Sequence, residues 1–350
     1  MDGTKLKTAV LGLDDKGQFL LEVVSKIELF EIAAVADKDA NLAETTGSKY
    51  KCAFYDDYRR LIMQNQFDCL LVAAGVHSCD EYIKMAIKRK TNILKLAPPA
   101  RNFQEAAEFV RLAENENIKF AIANPRRFAR SYLALREFLR EGVVEQIFFI
   151  TAFCAVGNEQ EGTWQTDPEL AGGGVLLRSC YQMIDQIVWS MGTPQQVYCL
   201  NTNTASDRQQ RSYMTEDTAV VTMKFNDSFF GNLIVGRVFG PELEVLRVYS
   251  KDKILRVSND RFIVSEGIGQ KSEAEYDDSE RSRHKALLEN FALSILEPDK
   301  NKLCSSAREN LNDMAVIEAS YLSARTGMPE EPGRILKMAQ AEPTNYSASS

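Results

Sequence analysis

A turn near the start of the chain has the spacing of a dinucleotide-binding loop. Gly12 and Gly17 occupy the first and third places of the pattern GxGxxG, between the apolar run 8–11 and a segment with helical periodicity. In such loops the pyrophosphate lies at the helix N-terminus. Asp14 replaces the middle glycine, and its carboxylate adds bulk and negative charge beside an anion. A plain strand-to-helix turn therefore stays open as the alternative.

Asp37 strengthens the dinucleotide interpretation. It follows Gly17 by 20 residues, at the end of a second apolar run, where an acidic side chain can accept hydrogen bonds from the adenosine ribose. This favours NAD slightly, whereas Lys38 directly after it leaves a 2′-phosphate, and so NADP, open. The residues of this region expected to bind the cofactor are Gly12, Leu13, Asp14, Gly17, Asp37 and Lys38.

Groups that could move a proton or hold a metal are scarce. Histidine is the commonest side chain for proton transfer near neutral pH, and the chain has only two, His77 and His284. His77 follows the fourth predicted strand and, as a lone loop histidine, is expected to be solvated. The seven cysteines are scattered without CxxC spacing, which predicts reduced thiols and no metal site.

A polar helix face is predicted in the second half of the chain. Arg178, Gln182, Asp185 and Trp189 recur at spacings of three or four residues, opposite an apolar stripe. Arg178 could bind a carboxylate or phosphate bidentately, which would suit an anionic ligand. The alternative is that Arg178 pairs with Asp185 on a structural face.

The elements that would position these residues change in kind along the chain, and together they predict an α/β fold class. Residues 1–124 alternate apolar runs with helical segments, which predicts a Rossmann domain with a doubly wound parallel sheet. Residues 125–338 predict an α+β domain for substrate and oligomerisation, with a large, open, mostly antiparallel sheet and C-terminal helices. Residues 339–350 are expected to form a disordered tail.

Charge and hydropathy restrict the kinds of partner. The 350 residues carry a formal net charge of -7, which does not favour binding to nucleic acid or to an anionic membrane. No apolar run approaches the roughly 20 residues of a spanning helix. The first five residues lack the apolar core of a signal peptide. We therefore expect a cytoplasmic protein that has a small-molecule partner and no membrane or nucleic-acid partner.

Several separate segments resemble the glucose-fructose oxidoreductase and inositol dehydrogenase (Gfo/Idh/MocA) family, over nearly the whole chain. The segments that carry the resemblance are residues 55–61, 126–128, 172–174 with Asp185 and Trp189, 216–218 and 324–329. The resemblance implies a Rossmann domain that binds NAD or NADP, a second domain whose open sheet often serves oligomerisation, and hydride transfer at a sugar or cyclitol carbon. We also expect Ala74 and Ala97 to border the cofactor.

The sequence departs from this family at the positions of its chemistry. The family's Glu-Lys-Pro motif, whose lysine contacts substrate and cofactor, is Leu96-Ala97-Pro98 here. In the family's Asp-x-Gly-x-His motif, Arg178 replaces the aspartate, and Gln182 replaces the histidine that is commonly the acid-base residue. A glutamine amide only donates and accepts hydrogen bonds. The resemblance therefore implies that the usual proton path is missing.

Lys95, Tyr181 and Gln182 are the remaining candidates for a catalytic role. Lys95 lies two residues before Ala97, so both point to the same side of an extended strand. The displacement of about 6.6 Å along the strand makes its reach marginal, and a local partner near the sheet end is the favoured expectation.

Two functions stay open. The first is an NAD(P)-dependent oxidoreductase acting on a sugar, cyclitol or sugar-acid-like substrate by a non-standard proton path. The second is a catalytically inactive nucleotide- or sugar-binding protein with a regulatory or structural role. In either case we expect an anionic or sugar-like ligand and a homo-oligomer formed through the second sheet. The residues expected to bind substrate are Arg127, Arg178, Gln182 and Asp185, with Arg126 placed to help.

Overall fold

The computed structural model describes residues 5–157, 163–204, 215–238, 240–267 and 270–340. Its first domain alternates strands with helices. The strands are β1 (Leu6–Leu11), β2 (Phe30–Ala36), β3 (Ala53–Tyr55), β4 (Cys69–Val72), β5 (Asn92–Leu96) and β6 (Phe120–Ala123). The helices are α1 (Asp15–Val24), α2 (Ala40–Tyr50), α3 (Tyr58–Gln64), α4 (Asp80–Lys88) and α5 (Phe103–Asn115). All strand pairs are parallel, in the order β3-β2-β1-β4-β5-β6.

The second domain is built around an eight-stranded sheet. Its strands are β7 (Ile147–Ala155), β8 (Gln196–Thr202), β9 (Thr218–Lys224), β10 (Phe230–Gly236), β11 (Leu243–Ser250), β12 (Lys253–Val257), β13 (Arg261–Glu266) and β14 (Gln270–Glu275). Its helices are α6 (Arg130–Arg140), α7 (Thr163–Thr166), α8 (Pro168–Ala171), α9 (Val175–Arg178), α10 (Tyr181–Met191), α11 (Glu280–Leu296), α12 (Ala307–Thr326) and α13 (Pro332–Gln340). The strand order is β14-β13-β12-β11-β7-β10-β9-β8.

Burial on both faces explains the parallel sheet. In β1, Ala9 and Leu11 pack into one apolar cluster with Ile83 of α4, whereas Val10 packs into a second cluster with Leu20 of α1. A strand that is covered on both sides needs a continuous apolar run. The predicted fold class, a Rossmann domain followed by a mostly antiparallel sheet, is confirmed.

One detail specifies the mostly antiparallel sheet that was expected, and two others differ from the expectations. β7 and β10 at the middle of the second sheet run parallel, so the sheet is mixed. The polar helix predicted around Arg178 is interrupted, because α9 ends at Arg178 and α10 begins at Tyr181. Helix α13 extends to Gln340, and the rest of the expected tail lies outside the described residues.

Within the described part of the chain, no helix combines the length and the apolar composition needed to cross a bilayer. The seven cysteines all belong to that part and are unpaired.

A buried ion pair lies where the two domains meet, and Asn124 at the end of the first domain bonds to it. Arg127, which follows β6, donates from Nη2 to Asp185 Oδ1 of α10 at 2.6 Å, and the two side chains are 3% and 0% exposed. The Arg127 Nη1 atom donates to the Cys304 carbonyl oxygen at 2.6 Å and to Glu309 Oε2 of α12 at 2.9 Å. Asn124 Nδ2 donates to the same Asp185 carboxylate at 2.9 Å. The end of the parallel sheet, α10 and α12 are thereby tied together.

Removing the carboxylate of this pair should destabilise the protein strongly. In Asp185→Asn the Arg127 guanidinium keeps its burial, loses its buried counter-charge and retains only the partly exposed carboxylate of Glu309, which costs about 3 kcal/mol. Urea unfolding followed by circular dichroism measures the loss. The matched control is Arg308→Gln, which breaks the half-exposed pair with Glu114 and should cost less than about 1 kcal/mol. Equal costs for the two variants would contradict a dominant role of the buried pair.

Candidate functional site

A cavity of about 550 Å³ lies at the carboxyl ends of the parallel strands, where the strand order reverses between β1 and β4. Ligands of doubly wound folds bind at this switch point. Both domains contribute to its lining. The lining residues are Asp14, Lys16, Ala73, Ala74, Gly75, Val76, Lys95, Leu96, Ala97, Pro98, Val156, Gly157, Trp164, Gln165, Arg178, Ser179, Gln182, Arg237 and Glu242.

The glycine-spaced turn forms one end of this cavity. Gly12 has a φ of 90°, and a Cβ there would lie 2.4 Å from the Ala74 nitrogen. A Cβ on Gly17 would lie 2.1 Å from the Gly12 carbonyl oxygen. Side chains are therefore excluded from both positions by the backbone.

The two acidic residues of the predicted cofactor site are held by backbone amides. Asp14 Oδ1 accepts a hydrogen bond from the Gly17 nitrogen at 3.0 Å, so this carboxylate caps the N-terminus of α1. Asp37 Oδ2 accepts from the Leu13 nitrogen at 2.7 Å, and its Oδ1 accepts from the Asp39 nitrogen at 3.0 Å. Asp37 is thus fixed beside the turn at the end of β2.

These residues fit a dinucleotide. A tight glycine turn, a helix N-terminus at the cavity and a fixed carboxylate at the end of β2 are the parts that such a cofactor requires. Asp14 turns back onto α1, and Lys16 beside it supplies positive charge to the same wall. Lys38 lies over the Tyr58 ring, 5.9 Å from its centroid.

Lys95 belongs to the wall formed by the end of β5. Its Nζ atom donates to the Leu96 carbonyl oxygen at 3.0 Å and to the Pro98 carbonyl oxygen at 2.9 Å. Lys95 is 2% exposed, and burial lowers its pKa. The structure thus gives Lys95 local partners, as expected, and brings it into the same cavity lining as Ala97.

The opposite wall of the cavity includes the end of α9, and the glycine run 172–174 before this helix positions it. Neighbouring atoms leave no space for a side chain at any of the three glycines. A Cβ on the first, second or third glycine would lie 2.1, 2.2 or 1.9 Å from the Arg101 carbonyl oxygen, the Tyr321 hydroxyl or the Glu216 carbonyl oxygen. The Glu216 carboxylate also accepts hydrogen bonds from the third glycine at 2.7 Å and from Tyr321 at 2.8 Å. The start of α9 is therefore fixed on three sides.

Arg178 and Gln182 both reach the cavity, as their expected role in ligand binding requires. Arg178 Nε donates to the Gly173 carbonyl oxygen at 3.0 Å, and its Cζ lies 5.9 Å from the centroid of the Trp164 ring. Trp164 stacks on His77 with centroids 4.3 Å apart. The expectation of a solvated His77 is therefore corrected: burial, followed by the charges of Lys38 and Arg101, lowers its pKa.

Five residues expected to bind the cofactor lie outside the cavity lining: Gly12, Leu13, Gly17, Asp37 and Lys38. Three residues expected to bind substrate or to act in catalysis also lie outside it. Arg127 and Asp185 form the buried ion pair described above and do not reach the cavity. The suggested pairing of Arg178 with Asp185 is therefore corrected, because the partner of Asp185 is Arg127. Tyr181 is buried and donates to Asn310 Oδ1 at 2.9 Å, and this burial raises its pKa. The break between α9 and α10 separates Arg178 from Asp185, so these two residues do not share one continuous helix face.

Arg126, suggested as a helper for an anion, pairs instead with Glu244 of β11. No group of three or more potential metal ligands among His, Cys, Asp and Glu occurs in the described ranges.

Sequence reasoning missed several lining residues. Trp164 is one of only two tryptophans in the chain, and this rarity could have marked it as a candidate lining residue. No sequence pattern points to Arg237 or Glu242 as lining residues. Arg237 follows β10 and Glu242 precedes β11, and only the folded sheet brings these strand ends to the cavity.

Comparisons with known proteins agree with this architecture. Residues 6–123 match the model of an oxidoreductase family with an NAD-binding Rossmann fold, and residues 132–255 match the GFO/IDH/MocA C-terminal domain. The D-glucoside 3-dehydrogenase of Escherichia coli strain K12 is 27% identical over 167 residues, which cover 47% of each chain. The chain spans about half the length of the curated relatives it matches.

Solved structures share the fold over almost the whole length. An inositol dehydrogenase homologue from Azotobacter vinelandii in complex with NAD⁺ has a TM-score of 0.85 at 15% identity, covering 95% of this chain and 100% of that one. An Agrobacterium radiobacter oxidoreductase in complex with NAD⁺, L-tartaric acid and magnesium has a TM-score of 0.82 at 17% identity, with the same coverage. With both halves matched in order, the chain belongs to the Gfo/Idh/MocA oxidoreductase family and has that family's NAD-binding Rossmann domain.

Proposed function

We propose that this protein is an NAD(P)-dependent oxidoreductase that acts on a sugar, cyclitol or sugar-acid-like substrate. The observation that carries the proposal is a single cavity whose lining brings Asp14 and Lys16 at the glycine turn together with the polar side chains of α9 and α10. Asp37 lies outside this lining and is hydrogen-bonded to the turn at the Leu13 nitrogen. Asp37 and the turn would hold the dinucleotide, whose nicotinamide supplies or accepts a hydride when bound. The fixed carboxylate of Asp37 favours NAD.

The polar wall suits a substrate rich in hydroxyl groups. Gln165, Ser179, Gln182 and Glu242 offer donors and acceptors for hydroxyls, and Arg178 offers a planar guanidinium for a carboxylate. The relative and neighbours named above include a D-glucoside dehydrogenase, an inositol dehydrogenase homologue and a complex with tartaric acid, which supports the same substrate range.

A second candidate function is ligand binding without catalysis. It is favoured by Ala97 and Gln182, since neither side chain can transfer a proton. The protein would then hold a dinucleotide or sugar in a regulatory or structural role.

We further propose that the protein self-associates through the outer face of the eight-stranded sheet. The large apolar side chains exposed on the strands of this sheet are Phe148, Tyr198, Leu200, Val220, Phe230, Leu243 and Ile254, and all but Phe148 define the outer face. Exposed apolar side chains on neighbouring strands are typical of a protein interface. A cytoplasmic location is part of the proposal and is supported by the seven unpaired cysteines.

The cofactor proposal predicts a preference for NADH that depends on Asp37. In Asp37→Ser the affinity for NADH should fall by about tenfold, or ~1.4 kcal/mol, because the ribose hydroxyls lose a charged acceptor. NADPH should be affected less. Isothermal titration calorimetry measures both, and Asp39→Ser in the same loop is the control because serine still caps α2. The absence of heat and of any thermal shift with either dinucleotide would refute the oxidoreductase function and the dinucleotide-binding form of the second function.

The catalytic proposal predicts hydride transfer that mass spectrometry can detect. Deuterium from C4-labelled NADH or NADPH should appear in at least one product from a panel of keto sugars, keto cyclitols and keto sugar acids. In Arg178→Met the KM for acidic substrates should rise by about tenfold, with neutral substrates changing less than about twofold. Binding of the dinucleotide without transfer to any member of the panel would favour the non-catalytic function.

The association proposal predicts that charge on the outer sheet face separates the subunits. The double variant Leu200→Glu/Val220→Glu should lower the mass measured by light scattering to that of a monomer, since carboxylates would be desolvated in the interface. Met63→Glu, at an exposed position on α3, is the matched control and should not change the mass. A monomeric natural protein would refute the association.

A further inference from the structure

Lys95 is a buried lysine without an ionic partner in the described part of the chain. It is 2% exposed, and no carboxylate of that part lies within ion-pair distance of its Nζ atom. The charged or titratable groups facing it are Cys79 at the start of α4 and Glu105 of α5. Burial raises the pKa of the Cys79 thiol, which therefore stays neutral, and Glu105 pairs with Arg101. The partners that the structure gives to an ammonium at this position are the carbonyl dipoles of Leu96 and Pro98.

The hydrogen bonds of Lys95 leave one position on nitrogen for a transferable proton. An ammonium has three N–H donors, and two of them are taken by the carbonyl oxygens of Leu96 and Pro98. A neutral amine keeps two N–H donors for the same two oxygens and places its lone pair at the third position. Loss or gain of one proton thus breaks neither bond. Because burial favours the neutral form, the lowered pKa of Lys95 brings this exchange closer to neutral pH.

The other titratable groups of the lining and the remaining candidates of the chain are less suited. Asp14 caps α1 through the Gly17 nitrogen, and Lys16 lies beside the glycine turn. Tyr181 is engaged with Asn310 away from the lining. His284 lies on α11 with its Nδ1 2.9 Å from the Glu280 carbonyl oxygen. His77 is not in the lining and is stacked on Trp164, with its Nδ1 buried. Glu242 shares the lining with Lys95, and its role is tested below as a competing explanation.

We propose that Lys95 is the proton-transfer residue of this cavity, an inference that rests on the proposed oxidoreductase function. In the oxidising direction, the C–H bond of the substrate carbinol breaks and its electron pair leaves with the hydrogen as hydride to the oxidised nicotinamide. The O–H proton passes to the Lys95 amine, and the C–O bond becomes C=O. In the reducing direction, the Lys95 ammonium returns that proton to the new alkoxide oxygen. The ammonium that the family carries at the position of Ala97 is thereby supplied from two residues earlier on β5.

The first test separates proton transfer from charge and from fold. Lys95→Met should lower kcat by about 10²–10³-fold, while the dissociation constant for NADH and the melting temperature change little. Lys95→Arg should be equally inactive, because a guanidinium stays protonated. Added methylamine should restore part of the activity of Lys95→Gly. The matched control is Lys90→Met, which removes an exposed lysine outside the cavity and should keep full activity.

The second test begins with an NMR titration that needs no substrate. In protein labelled with ¹³C at lysine Cε, the resonance that is missing from Lys95→Met should titrate below the ordinary value of 10.5. The rate of substrate oxidation should rise with pH through the same midpoint, since the neutral amine is the acceptor. A midpoint at or above 10.5 overturns the proposal even if the variants fail to fold.

The remaining outcomes separate this inference from the function on which it rests. Hydride transfer that survives Lys95→Met within threefold, or that is lost in Glu242→Gln or His77→Asn and not in Lys95→Met, overturns the role of Lys95 alone. A natural protein that binds NADH and transfers hydride to no substrate of the panel overturns the oxidoreductase function and the role of Lys95 together.

Discussion

The junction of the two domains is built on the buried pair of Arg127 and Asp185, to which Asn124 at the end of the first domain donates a hydrogen bond. Each of these charges would be costly to bury alone, so the folded state requires that both reach the same place. Arg127 follows the parallel sheet directly, and Asp185 lies on α10 less than one turn after Gln182. Once the pair forms, Gln182 stands at the cavity opposite the dinucleotide turn. A structural interaction outside the cavity thus determines which side chains face a ligand.

Local patterns in the sequence are sufficient to predict most of the helices and strands of the fold. The continuous apolar runs of β4 and β6 are clear because these strands are buried on both faces, and the periodicity of α5 is clear because this helix is buried on one face. The parallel pairing of β7 with β10 could not be predicted, because no local sequence pattern indicates the relative direction of two strands that are far apart in the chain. The short strand β3 was missed because its exposed residues Ala53 and Phe54 give no alternation.

The candidate site could be predicted only where its residues lie within one recognisable sequence motif. The turn from Gly12 to Gly17 and the carboxylate of Asp37 meet because adjacent parallel strands end at the same edge. The roles of Arg127 and Asp185 were misread, because spacing along a helix describes a face and says nothing of what covers it. Whether Arg178 and Asp185 share a face depends on the break at Ser179 and Cys180, which follows from tertiary packing of the glycine run.

The stack of Trp164 on His77 has an optical consequence. One ring comes from each domain, so a change in the separation of the domains alters the ring overlap and with it the fluorescence of Trp164. The other tryptophan, Trp189, lies against the guanidinium groups of Arg127 and Arg136, away from the cavity lining. The molecule therefore contains one fluorophore at the junction of its domains and a second that serves as an internal reference.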